Sequence, residues 1–586
     1  MRGAGARLRR ELLAAVRRSA TLSFATPAMA LFAAQGAAAR PALARAAASL
    51  APAAATRRVG PVAGRGAAWR GARSAAAAAA ALRQPRGAPA RPASSAAAPD
   101  ADDGVPSYVP DASDEAAPAF EVAVDWDALA ADVEGYEADC RARSSDGDPR
   151  RVLALRDAHL EAVRTVEVLR AERNALSKRG KGKGKGKGKG LAEPSAAAAA
   201  PTPEELAVRG RELRAQLAEA EAVERARRAE LQAAARALPN RTHPDAPTEA
   251  EGERVRARVG PEPLDSSRAG FALRDHVEIA QSLGLADWET AGRSSGSRFV
   301  YLAREAALLE TALVAYALDR ATKAGFVATS PPDLVRADLL ERCGFRPRGE
   351  SSQIYSVRGS PLALTGTAEV PLAGVFADRL LPASALPARL CGVGHAFRTE
   401  AGAPGAATRG LYRLHQFTKV ELFVACEPRD SDAVLEELVA FELAAFGDLG
   451  LTLRAVDMPP SDLGAPAARK VDVEAWMPGL ERWGELSSAS TCTDYQARRL
   501  NARYRPDEAP AEGGDAAAAR GPRTRFVHTL NATAAAIPRI IVALLETHQR
   551  ADGGVDIPEA LWPYSFGLKE IKPREGPGAA ILPFIR

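Results

Sequence analysis

The sequence predicts an α+β protein: a helical hairpin arm followed by a larger domain of mixed strands and helices. Three observations carry this expectation. From about Trp126 to Leu238, apolar residues recur at heptad spacing on two segments separated by a glycine-rich breaker. After Pro244 that periodicity gives way to alternating segments joined by Gly/Pro loops and to a strand-like run that enters an apolar helix. The first hundred residues differ in composition from everything after them. At 46% hydrophobic and 26% charged, the 586-residue chain is otherwise ordinary for a globular protein. No run of about 20 apolar residues lacks polar interruption, so a multi-span membrane protein is excluded and no membrane partner is expected. The five cysteines are dispersed and form no CxxC pair, which excludes a disulfide scaffold and a zinc ribbon.

Residues 1–99 hold sixteen arginines and one acid, Glu11, for a net charge of +15, against −10 for the remainder. A segment rich in Arg, Ala, Ser and Pro and nearly free of acid has the composition of an organellar targeting peptide. The alternative is a basic tail that binds nucleic acid. The apolar run from Leu22 to Ala34 also leaves open a two-step route into a plastid, or targeting to two organelles. Residues 100–125 are expected to be an acidic, Pro-rich linker.

Residues 126–244 form the expected arm. Leu155, Ala162, Leu169 and Leu176 recur every seven residues, with Val152 and Val166 between them. A second segment carries Leu206, Leu213 and Ala220 on one heptad position and Leu217, Leu231 and Leu238 on the other, interrupted by Glu224. Apolar heptads flanked by Arg and Glu predict a coiled coil, and the breaker makes it an antiparallel hairpin. The breaker alternates strictly from Gly180 to Gly190, and glycine at every second position predicts a loop at the tip, 180–203. Its lysines, Lys181, Lys183, Lys185, Lys187 and Lys189, read either as a solvated insertion or as a non-specific clamp for RNA phosphates.

The third part, 245–586, carries the chemistry in three stretches. In Arg398–Phe423 a Gly/Pro-rich centre separates two strand-like limbs. Period-two alternation puts Arg398 and Glu400 on one face, and Arg413, Phe417 and Glu421 on one face of the second limb. Guanidinium forks, an aromatic ring and carboxylate acceptors are what a polyphosphate nucleotide requires. In Gly484–Arg505, Glu485, Ser487 and Ser488 are oxygen ligands suited to Mg²⁺. In His528–Gln549 a strand runs into a buried helix with Thr533 at the junction, Pro538 in the first turn and Arg539 just after it.

These stretches, with NALSK at Asn174–Lys178, LPN at Leu238–Asn240, SGSRFVYL at Ser295–Leu302 and TAEVPLAG at Thr367–Gly374, occur in the order found in one family. Residues about 126–566 resemble seryl-tRNA synthetases, which are class II aminoacyl-tRNA synthetases. Asp457–Gly479 and NATAAAIPR at Asn531–Arg539 are most similar to the mitochondrial branch. The resemblance implies a six-stranded antiparallel sheet with surrounding helices. It also implies a homodimer built partly on a helix from about Ala303 to Gly325 and the Pro331–Pro332 turn, and an arm that grips tRNA(Ser) of the other subunit.

The resemblance also implies residue roles. Arg398 contacts the ATP α-phosphate, Glu400 accepts from the adenine amine, Phe417 stacks on adenine and Leu414 meets the base through its main chain. Thr399 and Leu486 belong to the same ATP-binding segments. Arg539 is the class-defining arginine on ATP, and Arg413 faces the terminal phosphates. Glu485, Ser487 and Ser488 bind ATP, with Glu485 and Ser488 holding Mg²⁺; Arg398, Arg539 and Glu485 carry the catalysis. Thr367, Ala368 and Glu369 hold the amino group of L-serine, Arg398 borders it, and Glu421 with Thr533 reads its hydroxyl. Two departures from the family stand out. Thr533 replaces a serine common in bacterial members, with the hydroxyl kept. His395 stands where a cysteine is common, with no role implied. The expected activity is that of a serine–tRNA ligase in organellar translation. Among rivals, another class II ligase is disfavoured by the arm, Glu421 and Thr533; a catalytically dead RNA-binding relative is disfavoured because all three ATP stretches keep their charged residues.

Overall fold

In the computed structural model the chain divides into two units, Met1–Ala101 and Asp102–Arg586. The structure describes residues 120–182, 202–345, 352–400, 409–507 and 524–574, all in the second unit. Residues 1–99, most of the 100–125 segment, most of the 180–203 tip and the core of the Pro506–Pro522 insertion lie outside the described residues.

The arm is formed by α1 (Pro149–Gly182) and α2 (Pro203–Ala237). Asp148 opens α1 by accepting the Arg151 N–H at 2.9 Å, with Pro149 in the first turn. Thr202 and Glu205 open α2 with a reciprocal capping box. The heptad residues Val152, Val166, Leu213, Leu217 and Leu231 are buried. Arg170 pairs with Glu221 at 2.9 Å, whereas Arg209 on α2 reaches Glu172 at 3.2 Å. Partners advance on one helix as they recede on the other, so the helices are antiparallel. Glu224, which breaks the heptad, faces His159 at 3.7 Å. One expectation needs correction: α1 continues to Gly182, so the first residues of the Gly–Lys run are helical. A helix already some thirty residues long propagates at little cost per residue, which offsets the poor propensity of two glycines.

A second correction concerns residues 120–125, expected as linker. Phe120 and Val122 are buried. The Val122 N–H donates to Gln232 Oε1 at 2.8 Å, and Asp125 pairs with Arg498 at 2.9 Å. Alternating apolar residues let this segment pack where the acidic, proline-rich residues before it offer nothing to bury.

The remainder is built on one sheet. Its strands are β1 (Arg254–Val259), β2 (Val327–Thr329), β3 (Ala388–Phe397), β4 (Gln416–Cys426), β5 (Leu453–Asp457), β6 (Arg469–Met477), β7 (Arg482–Thr493) and β8 (His528–Ala536). They are ordered β1-β5-β6-β7-β8-β4-β3-β2. All neighbours are antiparallel except the edge pair β2–β3. Among the described residues the sheet thus has eight strands where the resemblance implied six, and one pairing is parallel. The long, helix-bearing connection between β2 and β3 permits the parallel pairing that a tight hairpin forbids.

Around it lie α3 (His276–Leu283), α4 (Glu305–Lys323), α5 (Glu369–Gly374), α6 (Ser431–Gly447), α7 (Tyr495–Leu500) and α8 (Ile537–Thr547). The expected helix near 303–325 is α4. Strand alternation divides the core. Val420, Leu422 and Val424 of β4 point towards α4, α6 and α8, where Leu313, Leu438 and Ile541 join one cluster. Phe423 and Ala425 point the other way, against Val370, Leu372, Ala497 and Leu500 from α5 and α7. Each large aliphatic side chain so buried stabilises the fold by about 1.5–3 kcal/mol. Earlier on β4, and on the Phe423 face, come Glu421, Lys419 and Phe417, at the floor of a cleft.

Candidate active site

The hairpin β3–β4 pairs continuously from Ala388↔Ala425 to Phe397↔Gln416. Its strands are shorter than alternation suggested: β3 ends at Phe397, so Arg398, Thr399 and Glu400 lie beyond it, and Arg413 sits in a turn before β4. The Arg398 N–H donates to His415 O at 2.9 Å, which continues the ladder by one residue. Its Nε donates to Gly366 O at 3.3 Å, and its guanidinium lies 5.3 Å from the Phe417 ring centroid. Glu400 has φ +39°, and Arg298 Nη1 donates to its carbonyl at 2.8 Å. That left-handed turn, rather than the pleat, sets the Glu400 carboxylate against Arg413 Nε at 3.1 Å. Thr399 turns its hydroxyl away, onto Ser352 O at 2.7 Å. The centre of the hairpin loop, 401–408, lies outside the described residues.

Strand β7 contributes through a bulge. Glu474 faces Glu485 and Val473 faces Ser487, which leaves Leu486 unpaired. The extra residue reverses the parity of the strand, so Glu485 and Ser488, three apart, both face the cleft. Ser487, expected to bind ATP, is instead buried on the helix side beside Glu442. Arg539, third residue of α8, reaches back to Glu485 Oε1 at 3.2 Å and to its carbonyl at 3.1 Å. Its guanidinium lies 4.9 Å from the Tyr412 ring centroid. The cleft is lined by Arg398, Glu400, Arg413, Leu414 and Phe417 from the hairpin, Glu485, Leu486 and Ser488 from β7, and Thr533 and Arg539 from the third stretch.

The far end of the cleft is small and polar. Glu421 on β4 and Thr533 on β8 are direct cross-strand partners, with a bulge immediately after Thr533. Lys419, which also lines the cleft, places Nζ 2.6 Å from Glu421 Oε2 and 3.5 Å from Thr367 Oγ1. Thr367, Ala368 and Glu369 are buried around the start of α5. Gln496 on α7 donates to Glu369 Oε1 at 2.6 Å and accepts from Thr529 Oγ1 at 2.8 Å. Behind the sheet, Glu442 on α6 accepts the Thr533 N–H at 3.2 Å.

Charge separates the two ends. At the arginine end, desolvation and the neighbouring Arg539 both work against the Arg398 charge. Desolvation would raise the Glu485 carboxyl, but Arg539, Lys470 and Arg398 together hold it below the usual range. Two guanidinium groups repelling each other beside an ionised carboxylate form a receptor for a polyanion with a metal ion. At the polar end, desolvation pushes Glu369 up to about 7, with Glu421 adding to it. Desolvation also raises Glu421, against the pull of Lys419.

The donor set fits a hard divalent cation. Glu485 and Ser488 share one face, and Asp472, cross-strand from Ser488, has a buried Oδ1 without a hydrogen-bond partner among the described residues. Sequence reasoning missed Lys419, although the alternation that selected Phe417 and Glu421 also passes through it. Tyr412, Gln496, Glu442 and Asp472 were missed as well, and their roles depend on distant partners. His395, whose part was unassigned, pairs with Asp333 through Nδ1 at 2.9 Å, beside the Pro331–Pro332 turn.

Residues 355–548 match the family described as tRNA synthetase class II core domain (G, H, P, S and T). The chain is 42% identical over 434 residues to the serine–tRNA ligase of Rubrobacter xylanophilus, spanning 74% of this chain and 95% of that protein. It is 38% identical over 449 residues to that of Treponema denticola, spanning 75% and 98%. The solved seryl-tRNA synthetase from Pyrococcus horikoshii complexed with ATP matches with a TM-score of 0.63 at 34% identity, covering 77% of this chain and 100% of that one. The cytoplasmic serine–tRNA ligase from Naegleria fowleri in complex with AMP gives a TM-score of 0.62 at 26% identity, covering 75% and 96%.

Proposed function

The chain belongs to the seryl-tRNA synthetase family and is a serine–tRNA ligase, and we propose from this premise that it charges tRNA(Ser) for organellar translation, with the following division of labour. Arg398 and Arg539 grip the α-phosphate and the polyphosphate of ATP, Phe417 stacks on adenine, and Glu400 accepts from its amine. Arg413, which pairs with Glu400 at 3.1 Å, faces the terminal phosphates. Glu421 and Thr533 read the serine hydroxyl, and Thr367, Ala368 and Glu369 take its ammonium. The observation that carries the reading is the cross-strand pair Glu421↔Thr533, whose Thr533 lines the same cleft as Arg398, Arg539 and Glu485.

The chemistry needs no protein nucleophile. An oxygen of the serine carboxylate bonds to the α-phosphorus as the bond to pyrophosphate breaks, giving seryl-adenylate. A terminal ribose hydroxyl of the tRNA then bonds to the acyl carbon and AMP leaves. Arg398 and Arg539 stabilise charge that grows on the phosphate oxygens, and the serine pocket supplies alignment. Glu485 and Ser488 would hold Mg²⁺, which when bound neutralises polyphosphate charge. Serine-dependent exchange of pyrophosphate into ATP tests this: serine supports exchange and alanine does not. Exchange with alanine at a comparable rate overturns the pocket assignment.

The organellar part rests on the sixteen arginines and single acid of residues 1–99. The mitochondrion is the proposed destination, with a plastid or both organelles as the alternative. A fluorescent fusion lacking residues 1–99 stays in the cytosol; import of that fusion refutes the assignment. The proposed homodimer uses α4 and the Pro331–Pro332 turn; beside them Leu308 is exposed, and Val327, 62% exposed, lies on β2 at the edge of the sheet among the described residues. Light scattering at micromolar concentration gives twice the chain mass; a single chain mass refutes the dimer.

A further inference from the structure

The start of α3 lies outside the cleft, yet two of the ATP-bearing stretches and the turn that leads into the third converge on it. His276 is fully buried. Its Nδ1 lies 2.9 Å from Glu546 Oε1, and its backbone N–H donates to the same oxygen at 3.0 Å. The other oxygen, Glu546 Oε2, accepts the N–H groups of Gly479 at 3.0 Å and Leu480 at 3.2 Å. On the far side of the ring, His276 Nε2 accepts the Leu411 N–H at 3.3 Å. The tautomer follows from these partners: Nε2 is the acceptor, so Nδ1 carries the proton and donates it to the carboxylate. One residue earlier, Asp275 caps α3 through the Val277 and Glu278 N–H groups and pairs with Arg409.

Each of these contacts leads to a cleft residue. Leu411 directly precedes Tyr412 and Arg413 on the returning limb of the ATP hairpin. Gly479 and Leu480 form the turn that enters β7, which carries Glu485. Glu546 lies on α8 seven residues after Arg539, two helical turns along the same face. Two glycines permit the approach. A Cβ on Gly479 would lie 2.2 Å from Arg274 O, and one on Gly410, at φ +69°, would lie 2.4 Å from His276 Nε2. Two chain segments far apart in sequence therefore press bare backbone against one histidine and its neighbours.

We infer that His276 and Glu546 form a positioning hub for ATP: the pair fixes the returning limb of the hairpin relative to Arg539 and Glu485, so that phosphate ligands from three separate stretches are held in one constellation before the nucleotide binds. His276 touches no substrate; it acts through the Leu411 main chain and through Glu546. The inference rests on the ATP reading of the cleft. It predicts an effect on ATP and none on serine, whose pocket lies at the other end, around Glu421 and Thr533.

Two half-replacements separate the two sides of the ring. His276→Asn keeps a donor near the Nδ1 position for Glu546 and removes the acceptor for Leu411. His276→Gln carries its amide oxygen near the Nε2 position and keeps that acceptor while giving up the Glu546 donor. In serine-dependent ATP–pyrophosphate exchange, His276→Asn raises the KM for ATP by about tenfold, the order expected when a buried N–H loses its acceptor. The KM for serine stays within about twofold, and His276→Gln lies closer to wild type in ATP KM. Arg409→Ala, on a half-exposed side chain, raises the ATP KM by a smaller factor, about two to five. Equal ATP KM values for His276→Asn, Arg409→Ala and wild type overturn the hub, as does a loss shared equally by ATP and serine with a lowered melting temperature, the mark of a merely structural role. An active wild type with unaffected variants refutes the hub alone. A wild type without serine-dependent exchange refutes the reading of the cleft, and the hub with it.

Discussion

Replacing Lys419 with methionine isolates the electrostatic design of the serine pocket. Its ammonium lies 2.6 Å from Glu421 Oε2, with both residues buried, so the variant keeps most of the side-chain volume and removes the charge that faces the carboxylate. Desolvation already raises Glu421 above the usual carboxyl range while Lys419 pulls it down. Without the lysine, desolvation is opposed less and Glu421 moves further up, towards its neutral form, in which it reads the serine hydroxyl as a neutral acid. A hydrogen bond to a charged group contributes about 1.5–3 kcal/mol and a neutral one about 0.5–1.5 kcal/mol. The difference, about 1–1.5 kcal/mol, is a rise of roughly five- to thirteenfold in the KM for serine. The pH dependence follows in sign. The defect is largest at low pH and shrinks as rising pH ionises Glu421 again. Folding stability runs the other way: the folded carboxyl holds its proton more tightly than the unfolded one, so the variant is penalised least at low pH and more as pH rises. Pyrophosphate exchange with varied serine at several pH values, with ATP saturating, measures the first effect, and thermal melts measure the second. A serine KM that matches wild type across the range refutes the argument, as does a defect that grows with pH.

Other consequences are equally direct. Arg398→Ala lowers the exchange rate by about 10²–10³, equivalent to roughly 3–4 kcal/mol, with an unchanged melting temperature; near-normal exchange in the folded variant contradicts the assignment. Glu369, held near 7 by desolvation and Glu421, ionises as pH rises through that value, so wild-type serine KM falls across it while ATP KM stays flat; a flat serine profile rejects its role at the ammonium. The bulge at Leu486 separates two adjacent serines: Ser488→Ala raises the Mg²⁺ concentration needed for half-maximal exchange, whereas Ser487→Ala, facing Glu442, does not. Leu422→Ala, at a fully buried position of β4, destabilises folding by about 2–5 kcal/mol, readable in a denaturant titration.

The sequence by itself determined the arm, the order of the catalytic stretches and most residues of the cleft. Heptads at Val152, Val166, Leu213 and Leu231 state which face of each helix is buried, because a helix repeats its geometry every few residues whatever surrounds it. Arg398, Glu485 and Arg539 were legible because each stands in a short stretch whose local pattern is distinctive. Alternation was the weaker guide. It failed beyond Phe397, where the left-handed turn at Glu400 replaces the pleat, and at Leu486, where one unpaired residue turns Ser487 inward and Ser488 outward. A bulge depends on the partner strand, and nothing in the strand's own residues announces it. The pairing of Glu421 with Thr533, the Lys419 ammonium between Glu421 and Thr367, and the His276–Glu546 contacts with Gly479 and Leu411 join residues far apart in the chain. Only the packing of β4 against β8 and α5, and of α3 against α8, brings them together. Those contacts are set by strand register and by the close approach of Gly410 and Gly479, and neither is a property of any local stretch of sequence.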